Sequence, residues 1–306
     1  MTTDLFATQG SHDFGYGIAP PGYRLPAATR VGGVSLAVGD LARSLPYYEQ
    51  VLGLRVVAKE GNRVWLGAHG GEAPFVILHE QPGATPVPRR GRLGLYHYAI
   101  LLPDRAALGR FLAHLRDLGA YAGMSDHHVS EALYLTDPDG LGIEVYADRP
   151  RESWRHDGRQ LVMSTEPLDA QSVIAAGRGV AWSGMPAGTR MGHVHLYVGD
   201  LDRAARFYHE ALGLDKIVWG YPGALFLSAG GYHHHLGTNT WAAGAPAARE
   251  GDARLLEWEL VVPSGEDAAQ GARSLEANGF SVAPDEDGWR AADPWGTTIR
   301  VRPAAR

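Results

Sequence analysis

Glu144 stands between Ile143 and Val145, near the end of the stretch DHHVSEALYLTDPDGLGIEVY that spans residues 126–146. The apolar run follows a tight DPDG turn and predicts a strand, in which the Glu144 side chain is buried. A buried carboxylate is costly unless a cation, an arginine or a metal pairs with it. The chemistry of this stretch therefore depends on which residues meet Glu144.

Histidines are the other residues whose positions suit metal binding or proton transfer. His97 and His193 each lie in a run typical of a strand, and His195 follows His193 on the same face. A further run of three histidines occupies positions 233–235, in GYHHHLGTNTW. Because the chain has no cysteine, a metal must be bound by histidine, aspartate, glutamate or backbone oxygen atoms.

The bulk composition is that of a globular protein long enough for two domains. Of the 306 residues, 45% are hydrophobic and 20% are charged; the net charge is −6 and the pI is about 6.1. This balance argues against a nucleic-acid partner. No apolar run approaches the ~20 residues that cross a bilayer, and the N-terminus lacks the pattern of a signal peptide. We therefore expect a cytoplasmic enzyme or binding protein with no membrane partner.

The chain repeats itself at a fixed offset, which is the main predictor of its architecture. VGGVSLAVGDLARSLPYYEQVLGL starts at Val31, and MGHVHLYVGDLDRAARFYHEALGL starts 160 positions later. Each copy predicts a strand, a GDL turn and a short amphipathic helix. Asp40 and Asp200 occupy helix N-cap positions, and Gly53 and Gly213 occupy helix C-terminal positions.

Two weaker copies complete a set of four βαβββ modules. They start near Leu95 and Leu256 and close with DPDGLGIEVYADRP and DPWGTTIRVRP. The predicted organisation is an irregular N-terminal arm (1–28), an N-terminal domain (29–150, modules 29–85 and 92–150), a linker (151–188) and a C-terminal domain (189–303, modules 189–247 and 253–303). A single module is too small to bury a good core, so modules must pair.

These paired modules resemble the vicinal oxygen chelate superfamily, also known as the glyoxalase–dioxygenase fold. The resemblance covers residues from about 29 to 303 and implies an α+β fold of two cup-shaped sheets. It also implies that metal ligands come from the first and last strands of modules. The residues at those positions are Gly33, His97, His193 and Glu257 on first strands, and Glu144 and Arg300 on last strands.

Neither pair of consecutive modules supplies a complete ligand set. Pairing of the second and third modules instead brings together His97, His193 and Glu144. Two imidazoles and one carboxylate form the arrangement typical of non-haem Fe(II) oxygenases. We therefore expect this crossed pair to bind the metal and the first and fourth modules to be structural. Two alternatives remain: an arginine that neutralises Glu144, and His195 as the ligand in place of His193.

The stretch 126–146 also resembles the signature of extradiol ring-cleaving dioxygenases. The matching residues are His127, Leu133, Tyr134, Asp137, Pro138, Gly140 and Glu144, with Ser125 as the one departure. Within that family the chain is most similar to two-domain catechol 2,3-dioxygenases of the bacillus type. The resemblance implies an Fe(II) cofactor, with Mn(II) as a metal of similar preference, and a catechol and O2 as substrates. The product would be a muconic semialdehyde.

The same resemblance implies roles for the residues around the metal. Tyr134 is expected to hydrogen-bond the substrate, His127 to orient a substrate hydroxyl, and His234 to act as acid and base. His195, His233, Asn239 and Trp241 are expected to line the substrate site. If positions 233–235 form a strand, His233 and His235 share one face, so the choice of His234 stays open between these three residues.

Three other functions compete with this interpretation. A glyoxalase-type isomerase or thiol transferase would use a fourth protein ligand, for which Glu257 is a candidate. A hydroquinone dioxygenase would share the ligand set. A metal-free binding protein would have apolar residues at the ligand positions, as Gly33 alone has. Edge strands favour a homo-oligomer.

Overall fold

Each predicted module forms a strand, a helix and three further strands in the computed structural model, which describes residues 15–71 and 73–305. The strands of the first two modules are β1 (Arg30–Val38), β2 (Arg55–Glu60), β3 (Arg63–Gly67), β4 (Val76–Glu80), β5 (Gly94–Leu101), β6 (Gly123–Asp126), β7 (Ser130–Thr136) and β8 (Gly142–Asp148). The linker contains β9 (His156–Asp157) and β10 (Gln160–Leu161). The last two modules contain β11 (Arg190–Tyr197), β12 (Asp215–Val218), β13 (Ala224–Ser228), β14 (Leu236–Asn239), β15 (Arg254–Val262), β16 (Ala283–Pro284), β17 (Trp289–Ala292) and β18 (Thr298–Pro303). The helices are α1 (Leu41–Pro46), α2 (Arg105–Leu118), α3 (Ala170–Ala176, in the linker), α4 (Leu201–Ala205) and α5 (Gly265–Ala277).

The two most similar copies of the repeat form the same turn for the same reason. Asp40 and Asp200 each accept a hydrogen bond from a backbone N–H in the first turn of the helix that follows. Gly53 and Gly213 end the helical segments with φ of +74° and +96°, values that glycine adopts readily. The predicted N-caps and C-terminal glycines are therefore confirmed.

The strands form two eight-stranded sheets, and each sheet combines modules from both halves of the chain. One sheet has the order β12-β13-β14-β11-β5-β8-β7-β6, and the other has the order β16-β17-β18-β15-β1-β4-β3-β2. First strands form the seams, because β5 runs antiparallel to β11 and β1 runs antiparallel to β15. The predicted α+β fold and the crossed pairing are confirmed. The division into an N-terminal and a C-terminal domain stays a prediction. Each sheet contains strands from both of these halves.

A buried tyrosine–aspartate hydrogen bond holds together the two modules of each half. Tyr48 follows α1 in a π-helical turn and donates to Asp137 Oδ2 at 2.8 Å. Tyr208, in the matching turn after α4, donates to Asp293 Oδ2 at 2.9 Å. Both aspartates belong to the DPxG turns that precede the last strands. The sheets thus join the halves of the chain, while these two bonds join the modules within each half.

Removing one of these hydroxyl groups is expected to destabilise the fold without changing its topology. Tyr48→Phe deprives the buried carboxyl group of Asp137 of one partner, which costs about 1–3 kcal/mol. Tyr208→Phe is expected to cost a similar amount at Asp293, and the two losses should add because the sites do not share partners. Urea unfolding of the metal-free protein measures both effects. Tyr121→Phe is the control because Tyr121 is 90% exposed; a Tyr48→Phe loss no larger than this control would contradict the prediction.

Strand alternation gives the sheet that contains Glu144 one face for the core and one for polar residues. Ile143 and Val145 belong to a continuous cluster of buried apolar side chains that draws on both sheets and on α2. Glu144 lies between them and therefore faces the opposite side of the sheet, as does Ala99 on the neighbouring strand. This answers the question raised by the sequence, since Glu144 is buried but not in the apolar core.

The segments outside the modules are mostly irregular, as expected. Within the linker, Leu161, Val173 and Met185 are buried and anchor the chain to the modules. Residues 15–28 of the N-terminal arm lie against the third module through a bridge between Ile18 and Lys216, and the rest of the arm lies outside the described residues. No helix in the described ranges is both long and apolar enough to cross a membrane.

Candidate metal centre

The strand register places three of the predicted ligands side by side. Ala99 of β5 pairs with His193 of β11 on one side and with Glu144 of β8 on the other. His97 precedes Ala99 by two residues and therefore faces the same side of the sheet. The small side chain at Ala99 leaves the space between the strands to the two imidazoles and the carboxylate.

His97, Glu144 and His193 form one compact group, called here the histidine–glutamate cluster. Glu144 Oε2 lies 3.0 Å from His97 Nε2 and 3.1 Å from His193 Nε2. One potential ligand atom from each residue lies within 4.8 Å of the others. The exposed fractions of these residues are only 1–5%. The described residues contain no other such group of three.

The histidine–glutamate cluster fits a bound divalent metal better than it fits a structural ion pair. No described arginine contacts Glu144, so the alternative of an arginine partner is not what the structure shows. Instead, the carboxylate faces two ring nitrogens, and His97 Nε2, although 3.0 Å from Glu144 Oε2, is buried without a hydrogen bond of suitable geometry. A buried carboxylate beside an unsatisfied nitrogen is expensive for the protein alone. A divalent cation would satisfy both, and this donor set suits Fe(II) or Mn(II).

Burial favours the uncharged form of three imidazoles of the site, and the uncharged form is the one that binds metals. Burial lowers the pKa of His193 to about 4, although the charge of Glu144 opposes the shift. It also lowers the pKa values of His195 and His234 well below their usual range. Conversely, burial and the charge of Glu144 raise the pKa of Tyr134 well above its usual value, so its hydroxyl stays protonated.

A cavity of about 530 Å³ opens onto the cluster. This volume lies within the range of small-molecule sites in proteins. Among the residues predicted for the site, those that line the cavity are His97, His127, Tyr134, Glu144, His195, His234 and Trp241. His193 lies buried behind them. His233 and Asn239 are not among the lining residues, and their contact with a substrate stays a prediction.

The histidine run does not form a strand, so the alternation predicted for it is wrong. Strand β14 begins at Leu236, and positions 233–235 lie in a bend before it. Their side chains point to different partners. His233 hydrogen-bonds to Asp148, His234 faces the cavity, and His235 hydrogen-bonds to Ser228. The structure thus brings His234 to the cavity by a tertiary route that strand periodicity does not describe.

Hydrogen bonds through His233 determine which nitrogen of His234 is free. Asp148 Oδ1 can only accept, so His233 Nε2 donates to it at 3.0 Å. A ring protonated at Nε2 alone accepts at Nδ1, here from His234 Nδ1, 2.7 Å away. This leaves His234 Nε2 with a free lone pair, the form needed for a base. His233 and Asp148 therefore act on the site by positioning His234.

A second chain of hydrogen bonds orients Tyr134. His127 Nδ1 donates to the carbonyl oxygen of Ser164 at 2.6 Å, and that bond leaves Nε2 as an acceptor. The Tyr134 hydroxyl lies 2.6 Å from this nitrogen and donates to it. Ser164 belongs to the linker, which thus helps to build the site.

His195 and Asn239 form a pair next to the cluster. Asn239 Nδ2 donates to His195 Nε2 at 2.9 Å, and Asn239 Oδ1 accepts from the backbone N–H of Trp241 at 3.0 Å. The bond occupies one of the two nitrogens through which His195 could bind a metal. Since His193 rather than His195 approaches Glu144, the geometry favours His193 as the ligand.

His235 gives the site an expected pH signature in the metal-free protein. Its Nδ1 accepts from the backbone N–H of Ala229 at 3.2 Å, and burial lowers its pKa to about 3. In the unfolded chain the pKa of this histidine is near 6.5. Between that pH and about pH 3, the unfolded chain binds a proton at His235 and the folded protein does not. Stability is therefore lost as pH falls below about 6.5, and His235 should contribute about 2 kcal/mol to the loss between pH 7 and pH 5.

Urea unfolding of the wild type and His235→Gln at both pH values measures this contribution. We expect the difference between the two pH values to shrink by about 2 kcal/mol in the variant. An equal loss in both proteins would show that His235 does not hold its neutral form in the fold.

The other sheet has ion pairs at the equivalent positions. Glu257 pairs with Arg290, and Arg300 lies 3.1 Å from Glu259 and 2.5 Å from Asp285. Gly33 supplies no side chain. Among the described residues these positions hold no metal-type cluster, and Glu257 lies in the other sheet from His97, so it is no fourth ligand there.

Sequence reasoning missed Asp148 and Ser164. Asp148 carried a usable signal, since it lies four residues after Glu144 on the same strand and hence on the same face. Ser164 could not have been identified from the sequence, because it lies in an irregular segment and acts through its backbone carbonyl group.

Comparisons with known proteins agree with this geometry. The sequence profile of the Glyoxalase/Bleomycin resistance protein/Dioxygenase superfamily matches residues 30–145 and 190–301. Catechol-2,3-dioxygenase from Bacillus subtilis (strain 168) is 43% identical over 270 residues, which cover 87% of this chain and 94% of that protein.

Solved structures share the fold at lower identity. A Bacillus subtilis protein provisionally assigned as a dioxygenase has a TM-score of 0.64 at 16% identity, with 93% of this chain and 87% of that chain covered. Glyoxalase I from Zea mays has a TM-score of 0.52 at 18% identity, with 90% and 92% covered. Such likenesses show the fold alone, whereas the profile and the 43% identical relative show the family. The chain therefore belongs to the Glyoxalase/Bleomycin resistance protein/Dioxygenase superfamily and, within it, to the catechol-2,3-dioxygenase type of enzyme.

Proposed function

We propose that the protein is an Fe(II)-dependent extradiol dioxygenase that cleaves catechol or a substituted catechol next to the diol. The observation that carries this proposal is a buried carboxylate between two imidazoles at the floor of a cavity. The 43% identity to catechol-2,3-dioxygenase of Bacillus subtilis supports the substrate class. Both atoms of O2 enter the product, a muconic semialdehyde, as one ring carbon–carbon bond breaks.

His97, His193 and Glu144 would hold the metal. A ferrous ion in this setting supplies the redox chemistry through which a catechol reacts with O2. Glu144 offsets part of the metal charge, and the imidazoles donate in their neutral form. Three protein ligands leave coordination positions open toward the cavity.

The remaining residues orient the diol and move its protons. Tyr134 stays protonated and donates its proton to His127, so its oxygen can accept a hydrogen bond from a hydroxyl group of the diol. His234 Nε2 has a free lone pair and can accept a proton from the substrate, a step suited to an imidazole near neutral pH. Phe226 and Trp241 give the cavity apolar walls that exclude water from the ring.

The glyoxalase-type alternative has less support. It implied a fourth protein ligand, and the candidate Glu257 pairs with Arg290 in the other sheet. Hydroquinone cleavage shares the same ligand set and differs in the position of the second hydroxyl. Mn(II) in place of Fe(II), a homo-oligomer and a cytoplasmic location remain predictions.

Anaerobic loading with Fe(II), followed by catechol and air, tests the proposal. Oxygen uptake and the yellow ring-opened product should rise in a one-to-one ratio, and hydroquinone should give neither. His97→Ala should lose both signals. Tight metal binding without oxygen uptake would move the assignment to an isomerase or transferase, and absence of metal binding would refute the site itself.

A further inference from the structure

The mouth of the cavity carries two arginines without a counter-ion. Arg89 and Arg90 line the cavity, and no described carboxylate forms an ion pair with either. The third arginine there, Arg92, is neutralised by two hydrogen bonds to Asp252 at 2.7 and 3.0 Å. We propose that Arg89 and Arg90 form an anion subsite, so that the preferred substrate is a catechol whose ring carries an anionic substituent. This inference rests on the proposed function and specifies its substrate class.

The charge distribution of the cavity supports a substrate with a negative end. Glu144 is the only acidic residue among those that line the cavity, and it lies at the deep end with the metal ligands. The mouth is therefore cationic although the whole chain has a net charge of −6. A ring anchored by its diol at the deep end would direct a substituent away from Glu144.

Two tyrosines connect the deep end of the cavity with the mouth. The Tyr96 ring lies 4.6 Å from that of His97 and 4.8 Å from that of Tyr197. Tyr197, Arg89 and Arg90 line the same cavity. Burial raises the pKa of Tyr197 to about 12, while the charges of both arginines and a hydrogen bond with Arg90 act in the opposite direction. A substituent that extends along this wall reaches the arginines. The cavity volume of about 530 Å³ leaves room for it beside the ring.

The backbone that carries the arginines is held in place on both sides. Val87 N–H donates to the carbonyl oxygen of Asp139 at 2.9 Å, and Leu93 N–H donates to that of Pro246 at 2.9 Å. Between them, Arg90 has a φ of +58°, a value that non-glycine residues rarely adopt. Strained backbone of this kind persists where the surrounding structure imposes it, often at binding sites. The two guanidinium groups are thus presented to the cavity by a braced turn.

A pair of substrates that differ only in charge tests the subsite. Dihydroxyphenylpropanoate and its uncharged amide are compared on the Fe(II)-loaded wild type and on the double variant Arg89→Gln/Arg90→Asn. Asparagine is chosen at position 90 because it tolerates positive φ. In the wild type we expect the acid to have the lower KM. In the double variant the KM of the acid should rise about tenfold with little change in kcat, and the amide should change less than about twofold.

Added salt should raise the KM of the acid but not that of the amide, because salt screens partly exposed charges. Arg178→Gln removes one exposed positive charge outside the cavity and should leave both KM values unchanged. Equal KM values for acid and amide in the wild type would overturn the subsite. If neither diol consumes oxygen, the proposed function fails, and anaerobic calorimetry with the same two compounds still decides the subsite. The subsite is supported if the wild type binds the acid more tightly than the amide and the double variant loses this difference. It is refuted if the wild type binds both compounds equally or binds neither.

Discussion

Glu144→Gln is expected to abolish ring cleavage and to weaken Fe(II) binding by more than about 100-fold, since even outer partners of metal ligands contribute 10–100-fold. Glutamine keeps the size of the side chain but removes the charge that offsets the metal. Fe(II) should raise the unfolding temperature of the wild type by mass action and should leave that of the variant nearly unchanged. In the presence of a chelator the variant should be no less stable than the wild type, because a neutral amide avoids the cost of a buried charge.

Glu131→Gln is the matched control for this variant. Glu131 is also a buried glutamate of the same sheet, 3% exposed, but it accepts from Arg105 at 3.0 Å rather than facing histidines. Its replacement should lower stability with or without metal and leave Fe(II) affinity intact. Metal titration by calorimetry and scanning unfolding separate the two cases. If Glu144→Gln still binds Fe(II) with wild-type affinity, the ligand assignment is wrong.

His234→Gln is expected to lower kcat by about 10²–10⁴-fold, the usual contribution of a positioned acid–base group. Fe(II) content should remain one per chain, because His234 belongs to the wall of the cavity and not to the histidine–glutamate cluster. Glutamine can still form a hydrogen bond but cannot exchange a proton near neutral pH. Steady-state oxygen uptake, together with iron analysis of the same sample, measures the effect.

His235→Gln is the neighbouring control, since His235 bonds to Ser228 away from the cavity. It should retain kcat within a few fold while losing the pH-dependent stability described above. A His234→Gln enzyme with wild-type kcat would exclude His234 as the acid–base group and direct attention to His127 and Tyr134. A His234→Gln enzyme without iron would show that the residue supports the metal instead.

The modules could be predicted from the sequence because it repeats, and the predicted ligand positions came from the resemblance to a known superfamily together with that repeat. The 160-residue offset aligned His97 with Glu257 and identified the first strand of each module. With those positions, consecutive modules gave no complete ligand set, so the resemblance favoured crossed pairing, which the order of the sheets confirms. Capping by Asp40 and Asp200 was equally predictable, since it depends on local chemistry.

The rest of the site could not be predicted from the sequence. Irregular backbone forms it, and tertiary contacts determine the path of that backbone. A bend before β14, rather than an alternating strand, directs His233 to Asp148 and His234 to the cavity. Ser164 contributes a backbone carbonyl, which any residue possesses, so its type carried no signal. Nothing in the sequence around Arg89 and Arg90 indicates a cavity. Only the folded structure shows that these two residues line it.

The crossed sheets have a consequence for the growing chain on the ribosome. When the first half has been synthesised, β1 and β5 can pair with β4 and β8, but their other edges await β15 and β11. Translation from the end of β5 to the end of β11 takes on the order of ten seconds at typical rates. Throughout that interval the nascent chain presents two unpaired strand edges, which are hazards for aggregation. The histidine–glutamate cluster cannot be complete before His193 has left the exit tunnel, so a metal that binds there would be captured after translation or late during it.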